Sequence, residues 1–161
     1  MEWVDLLRLA HVLGACVLIG TGAGIAFFML MAHRSGDPGF IARTAGVVVI
    51  ADMLFTATAA LAQPVTGALL MHQTGWSLTE GWLLLSLGLY IFIGLFWLPV
   101  VYIQAQMRDE AAQSMRMGTA LSNRYHRLYR IWFACGVPAF TAIIALLWLM
   151  ITRPAISFWL P

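Results

Sequence analysis

Charge is scarce in this sequence, and its basic side chains are of one kind. Charged residues make up 10% of the 161 residues, all nine basic residues are arginine, and lysine is absent. A formal net charge of +2 excludes the broad basic surface that nucleic-acid binding requires. Hydrophobic residues make up 61% and the mean hydropathy is +0.85, whereas soluble globular chains average about 45–50% apolar residues. A water-soluble fold is therefore excluded.

Cysteine is also scarce, and the common motifs of cofactor and metal chemistry are missing. Cys16 and Cys135 both lie inside apolar runs, which excludes a disulfide framework. We find no CxxCH haem-attachment motif, no Walker loop, no nucleophile elbow and no HExxH zinc motif. Any chemistry must therefore come from individual polar residues that interrupt the apolar segments.

Four apolar segments are long enough to cross a membrane, which takes roughly 20 helical residues. We predict them at about residues 3–32, 44–72, 81–106 and 128–152, within one transmembrane domain that covers residues 1–161. Continuous apolar runs favour helices over the strands of a barrel, in which apolar and polar residues alternate. The sequence therefore predicts an all-α fold, an integral membrane four-helix antiparallel bundle in a lipid bilayer.

Arginine is distributed unevenly among the connecting segments, which predicts the orientation in the membrane. The second connecting segment contains none, whereas the first and third contain Arg34, Arg43, Arg108, Arg116, Arg124 and Arg127. Because cytoplasmic segments are enriched in basic residues, we expect these two segments in the cytoplasm and both termini outside. Four tryptophans then fall at the outer interface, as in an aromatic belt: Trp3, Trp76, Trp82 and Trp159.

A histidine inside the first span is the strongest candidate for a ligand. His11 lies about two turns into the helix, roughly 10 Å below the outer surface, and polar side chains within a membrane often mark functional sites. Gly14, Ala15, Leu18 and Gly22 continue the same helix face and leave a trough beside the imidazole. Either a flat haem with His11 as its axial ligand or a closely packed neighbouring helix fits this trough.

Two further residues near the outer surface accompany His11 in this prediction. Arg8 lies one turn above His11 and pairs either with a haem propionate or with Asp5. His72 ends the second span in the same leaflet. It is either an interfacial histidine or a second ligand that converges with His11 on one haem or metal ion.

The second span carries a polar stripe at helical spacing: Asp52, Thr56, Gln63 and Thr66. Such a face points into the bundle rather than at lipid. It predicts either a path for protons or substrate that reaches Asp52 from outside, or hydrogen bonding between helices. For Asp52 itself we favour an ion pair with Arg127 or Arg130 near the cytoplasmic face.

A proline and a tyrosine lie close to this stripe. Pro64 is expected to bend the second span near Gln63 and to free a backbone carbonyl one turn earlier. Tyr90, in the third span, falls near the membrane level of His11 and Gln63. Gln63 and Tyr90 are therefore further polar candidates inside the membrane.

Several segments of the chain resemble a known family. Residues 6–15, 32–38, 63–67 and 97–101 are similar to an uncharacterised bacterial family of four-helix integral membrane proteins, domain of unknown function 2269. The likeness covers nearly the whole chain. It implies four spans in the bacterial inner (cytoplasmic) membrane, with periplasmic termini if the arginine distribution is followed, and it implies no particular activity.

A more distant resemblance rests on His11 and the Leu13-Gly14-Ala15 that follows it. This histidine resembles that of the CopD copper-resistance membrane domain and of the HemJ-type protoporphyrinogen oxidase. In the latter a first-helix histidine is associated with haem, which implies haem binding by His11 and, more loosely, by His72. The lysine pattern of the HemJ type is missing here, so the resemblance does not extend to porphyrinogen oxidation.

Together these observations predict a haem b protein of membrane redox metabolism, which passes electrons or oxidises a small apolar substrate or quinone. If the protein is an enzyme, it is a membrane oxidoreductase. The predicted cofactor site consists of His11, His72, Arg8 and Gly14, with the two histidines as metal ligands.

Two alternatives stay open. One is a non-enzymatic transporter or copper-handling protein, because Met71, His72 and Met150 share the outer end of the bundle and soft ligands favour copper. The other is an accessory subunit, because so small a bundle fits a homo-oligomer or a larger membrane complex.

Overall fold

The computed structural model of the protein describes residues 2–157, which form four long helical rods. The first rod is α1 (Trp3–Ser35), the third is α4 (Gly81–Met117) and the fourth is α5 (Asn123–Thr152). The second rod runs without a break through α2 (Pro38–Ala51), a π-helical turn (Asp52–Thr56) and α3 (Ala57–Thr74). All four rods are long and apolar enough to cross a membrane, and residues 2–157 contain no strand. The prediction of an all-α, four-helix membrane fold is confirmed.

The turn between the first two rods follows from its local sequence. Gly36 ends α1 with a left-handed backbone (φ 66°), a conformation that glycine adopts without steric cost. Asp37 then caps α2, because its Oδ1 accepts a hydrogen bond from the Gly39 backbone N–H at 2.8 Å. Pro38 follows at the first helical position, where its missing N–H costs nothing.

The helices extend beyond the apolar segments from which they were predicted. The first rod ends at Ser35 and not near residue 32, the second begins at Pro38 and not near residue 44, and α4 continues to Met117. The end of an apolar run shows where the hydrocarbon region of the membrane ends. The helix itself can continue beyond that point into water, because its backbone hydrogen bonds stay intact. With 37 residues α4 is about 55 Å long, compared with roughly 30 Å of hydrocarbon. The third connecting segment is therefore mostly helical, with only residues 118–122 as a turn.

The second rod changes its packing partner along its length. Its first part, α2, packs against α4 and α1, whereas its second part, α3, packs against α1. The π-helical turn lies between the two parts and contains an extra residue relative to an α-helix. Each residue turns an α-helix by about 100°. The π-helical turn therefore changes which face of the rod is presented to its neighbours.

The core lies toward the end of the bundle that carries the first and third connecting segments. Small side chains allow close helix packing there, and Ala32, Ala45 and Ala111 are fully buried. Around them pack larger side chains: Met29, Ile41, Ile103, Met107, Tyr125 and Trp132. Large apolar residues face outward along all four rods, as a lipid environment requires.

Tryptophans gather at the opposite end, which is the predicted outer interface. The rings of Trp76 and Trp82 meet edge to face with centroids 5.4 Å apart, and the Arg153 guanidinium lies within 6 Å of both rings. Trp3 is 61% exposed. Trp159, predicted to join this belt, lies outside the described residues.

Candidate functional site

His11 is held by a hydrogen bond from the neighbouring helix. Its Nδ1 lies 2.8 Å from the Oγ1 of Thr66 on α3. The Thr66 Oγ1 also lies 2.8 Å from the Ala62 carbonyl oxygen and 3.2 Å from the Gln63 carbonyl oxygen. The hydroxyl has only one hydrogen. If it is donated to the Ala62 carbonyl, Thr66 accepts from His11 and the imidazole proton is on Nδ1; if it is donated to Nδ1, the imidazole proton is on Nε2. In the first arrangement the Nε2 of His11 carries a lone pair.

The Nε2 atom of His11 has no hydrogen-bond partner within residues 2–157, and it is not enclosed by the bundle. The side chain as a whole is half-buried. An imidazole that is anchored through Nδ1–H and open at Nε2 is the form in which histidine binds metal ions. Nε2 is therefore the ring nitrogen of His11 that is left for a ligand.

The trough predicted beside His11 is occupied by α3 at the level of Gly14. The Gln63 side chain donates from Nε2 to the His11 carbonyl oxygen at 2.7 Å, and a Cβ atom on Gly14 would overlap this amide. Gly67 makes room for the imidazole, since a Cβ there would lie 3.3 Å from Cε1 of His11. Of the two occupants predicted for the trough, the packed helix is the one found beside Gly14.

Arg8 lies one turn above His11 and pairs with Asp5. The two side chains are 3.6 Å apart and are 61% and 51% exposed. Of the two partners predicted for Arg8, the carboxylate of Asp5 is the one present. An ion pair this exposed contributes little stability, about 0–1 kcal/mol, so that Arg8 stays free to exchange partners.

His72 is not brought together with His11. It is exposed in the last turn of α3, six residues after Thr66. That spacing places His72 about 9 Å further along the helix axis and two-thirds of a turn around it. The face of α3 that contacts His11 is therefore not the face that carries His72.

The outer end predicted to attract copper contains Met71 and His72 at the end of α3 and Met150 at the end of α5. Both methionines are half-buried. Across residues 2–157 no group of three histidine, cysteine, aspartate or glutamate side chains is arranged to hold a metal ion.

The polar stripe of the second rod points into the bundle. Asp52, Thr56 and Gln63 are buried, and Thr66 is half-buried against His11. Further along the stripe the Tyr90 hydroxyl of α4 donates a hydrogen bond to the Ala60 carbonyl oxygen. The stripe therefore joins the second rod to both α1 and α4.

The predicted ion pair of Asp52 with Arg127 or Arg130 is wrong. Within residues 2–157 no arginine lies within ion-pairing distance of Asp52, and both arginines are exposed on α5. The Asp52 Oδ1 instead accepts a hydrogen bond from Trp97 Nε1 at 3.3 Å. The physical reason is that the first part of the second rod, α2, packs against α4 and not against α5.

Trp97 and Gln104 were not predicted to belong to this site. Gln104 is 1% exposed, and its side chain borders the Asp52 carboxyl. A signal was present in the sequence, because the two residues are seven positions apart and share one helix face. Gln104 is also a polar residue inside an uncharged apolar run.

Four membrane-crossing rods with a polar stripe between them define a multi-pass integral membrane protein. The chain belongs to the family described as predicted integral membrane protein (DUF2269), whose profile matches residues 5–154. No curated protein and no solved structure matches the chain. The distant resemblance to the CopD and HemJ types therefore stays a prediction.

Proposed function

We propose that the protein binds haem b through His11 and works in membrane redox metabolism, in electron transfer or in the oxidation of a small apolar substrate or quinone. The observation that carries this proposal is the hydrogen bond between His11 Nδ1 and Thr66 Oγ1. The arrangement in which Thr66 accepts from Nδ1–H would leave Nε2 available as an axial ligand. Bound haem would supply the redox chemistry, while the protein supplies ligation and orientation.

The residues around His11 fit a haem bound from one side. His11 offers Nε2, which has no hydrogen-bond partner among the described residues, and Arg8, one turn above, offers a guanidinium that suits a propionate. Gly14 and Gln63 support the histidine from behind through the α1–α3 contact. Because His72 lies on another face of α3, we assign His11 as the single axial ligand from this chain.

A ring nitrogen of His11 that is free to bind haem also has consequences for the partners that the protein needs. A haem at this position would contact lipid or a second protein with its other face. We therefore propose a membrane redox partner or quinone, and a homo-oligomer or larger complex, in the bacterial inner membrane. Following the arginine distribution, we place both termini in the periplasm.

The absorption spectrum of the purified protein tests this function. We expect a haem Soret band, with reduced-state bands typical of haem b, after expression with added haem precursor. His11→Ala should abolish or strongly shift the spectrum, whereas His126→Ala, at an exposed position on α5, should leave it unchanged. A colourless preparation that also fails to take up added haem would remove the proposal.

The alternative is a non-enzymatic transporter or copper-handling protein. It is supported by the placement of Met71, His72 and Met150 at one end of the bundle, where thioether and imidazole groups suit copper. Metal analysis of the purified protein separates the two functions, because copper without haem would favour this alternative. A colourless, metal-free protein that co-purifies with a larger complex would instead indicate an accessory subunit.

A further inference from the structure

Three buried oxygen atoms lack hydrogen-bond partners in the cytoplasmic half of the bundle. They are Oδ2 of Asp52, Oγ1 of Thr56 and Oε1 of Gln104, and none has a partner within residues 2–157. Their side chains are 3%, 8% and 1% exposed. Buried polar atoms are nearly always satisfied in native proteins, so these three oxygens have capacity to bind a ligand.

The fold brings these atoms to one place. Asp52 and Thr56 begin and end the π-helical turn, a conformation that recurs at functional sites. Gln104 comes from α4, against which the second rod packs. The side chains of Thr56 and Gln104 both lie within hydrogen-bonding reach of the Asp52 carboxyl. Because Trp97 already donates to Oδ1, the remaining oxygen of Asp52 is the one left for a ligand.

The charge of the Asp52 carboxylate determines which kind of ligand this site can bind. An ionised carboxylate in a membrane interior is strongly unfavourable unless a positive charge accompanies it. The described residues place no arginine or histidine within ion-pairing distance of Asp52. A single positive charge would neutralise the site, whereas a divalent ion would leave an excess positive charge in hydrocarbon.

We propose that Asp52, Thr56 and Gln104 form a binding site for one alkali-metal cation. Carboxylate, hydroxyl and amide oxygens are hard ligands, and hard cations prefer oxygen, whereas copper prefers sulfur and nitrogen. The site lies 14 residues before Thr66 on the second rod, about 20 Å along its axis. It is therefore separate from the His11 site, and either proposal stands or fails without the other.

Cation-dependent thermal stability of the purified protein in nanodiscs tests this site. We expect the unfolding midpoint to rise and saturate with NaCl when choline chloride keeps the ionic strength constant, because a ligand that binds only the folded state stabilises it. Asp52→Asn should remove this rise. Asp109→Asn, which changes a carboxylate that is exposed and paired with Arg108, should retain it. Repeating the titration with KCl gives the selectivity.

A second pair of variants keeps the test decisive if Asp52→Asn does not fold. Thr56→Val removes one ligand oxygen at nearly constant volume and should weaken the apparent Na⁺ affinity by at least about tenfold. Thr56→Ser retains the hydroxyl and should preserve the affinity. A midpoint that depends on ionic strength and not on the kind of cation would overturn the proposal. So would a midpoint that responds to pH and not to Na⁺, because the occupant of Asp52 would then be a proton.

Discussion

The Tyr90 hydroxyl donates its hydrogen bond to the carbonyl oxygen of Ala60, the oxygen that Pro64 leaves without a helical partner. In an uninterrupted helix the N–H of residue 64 would donate to Ala60, but proline has no N–H. Water is absent from the hydrocarbon region, so the freed carbonyl needs a partner from the protein. A side chain from the next span therefore compensates for a backbone defect in the second.

The first prediction concerns this compensation. Tyr90→Phe should destabilise the protein by about 1–3 kcal/mol, because the Ala60 carbonyl loses its partner from α4. In a Pro64→Ala background the backbone N–H is restored, and the same change should cost roughly 0.5 kcal/mol or less. Reversible unfolding in mixed micelles measures both values. Tyr102→Phe, at a 67% exposed position, serves as the control. An equal cost in both backgrounds would contradict this account.

The second prediction separates the roles of His11 and His72. If His11 is the only axial ligand from this chain, His72→Ala should leave the haem spectrum and its coordination state unchanged. His72 is exposed and lies on a different face of α3 from the one that contacts His11. Absorption and electron paramagnetic resonance spectra of the purified variant give the coordination number. A change from six- to five-coordinate haem would show that both histidines ligate.

The third prediction concerns the hydroxyl that anchors His11. Thr66→Val removes the acceptor for Nδ1–H and should lower haem affinity by about 10–100-fold, because such supporting groups orient a ligand and set its basicity. Thr66→Ser should restore the affinity. Thr58→Val, at an exposed position on the same helix, should have no effect. Haem titration of the apoprotein measures the affinities, and a normal value for Thr66→Val would exclude the anchoring role.

The fourth prediction concerns close packing between α1 and α3. Gly14→Ala should destabilise the protein by about 1–3 kcal/mol, because the new methyl group overlaps the Gln63 amide and disturbs its bond to the His11 carbonyl. Gly20→Ala introduces the same group where nothing lies within 4 Å. It should be neutral or stabilising by up to about 1 kcal/mol. Unfolding measurements that rank the two variants in the opposite order would refute the packing role.

The fifth prediction concerns orientation. In a variant with Cys16 and Cys135 replaced by serine, a cysteine at Ser77 should react with a membrane-impermeant maleimide added to intact cells. A cysteine at Thr119, in the turn between α4 and α5, should react only after permeabilisation. Both positions are exposed, so accessibility within the protein does not limit labelling. The reverse pattern would invert the orientation.

Hydropathy was sufficient to predict the number of spans, because each apolar run exceeds the length that crosses a bilayer. Helical spacing was sufficient to predict that Asp52 and Gln63 face inward, since both are buried. The length of a span and the side of it that faces inward depend on one helix alone. A single sequence is therefore enough to predict them.

The predictions that the structure does not support depend on which helices pack against each other. The ion pair of Asp52 was predicted from matching membrane depth alone, but depth does not specify the neighbouring helix, and α4 brings Trp97 to the carboxyl instead. The convergence of His11 and His72 was also predicted from the leaflet they share. That prediction did not take into account how far the helix rotates between Thr66 and His72. A π-helical turn has no sequence signature of its own, so the change of partner along the second rod was not predictable.

The length of the chain between the π-helical turn and Gln63 matters as much as residue identity for how the second rod meets α1. Deleting one residue between this turn and Gln63 would rotate Gln63 and Thr66 by about 100° relative to α2, because an α-helix turns by that angle per residue. Gln63 and Thr66 would then turn away from His11, although no residue that contacts it had been altered. Most side chains between the two parts face lipid and can be exchanged for other apolar residues. A scan of Met53, Leu54 and Phe55 should therefore tolerate other apolar residues, whereas single-residue deletions from Ala57–Ala62 should disrupt the contact with His11.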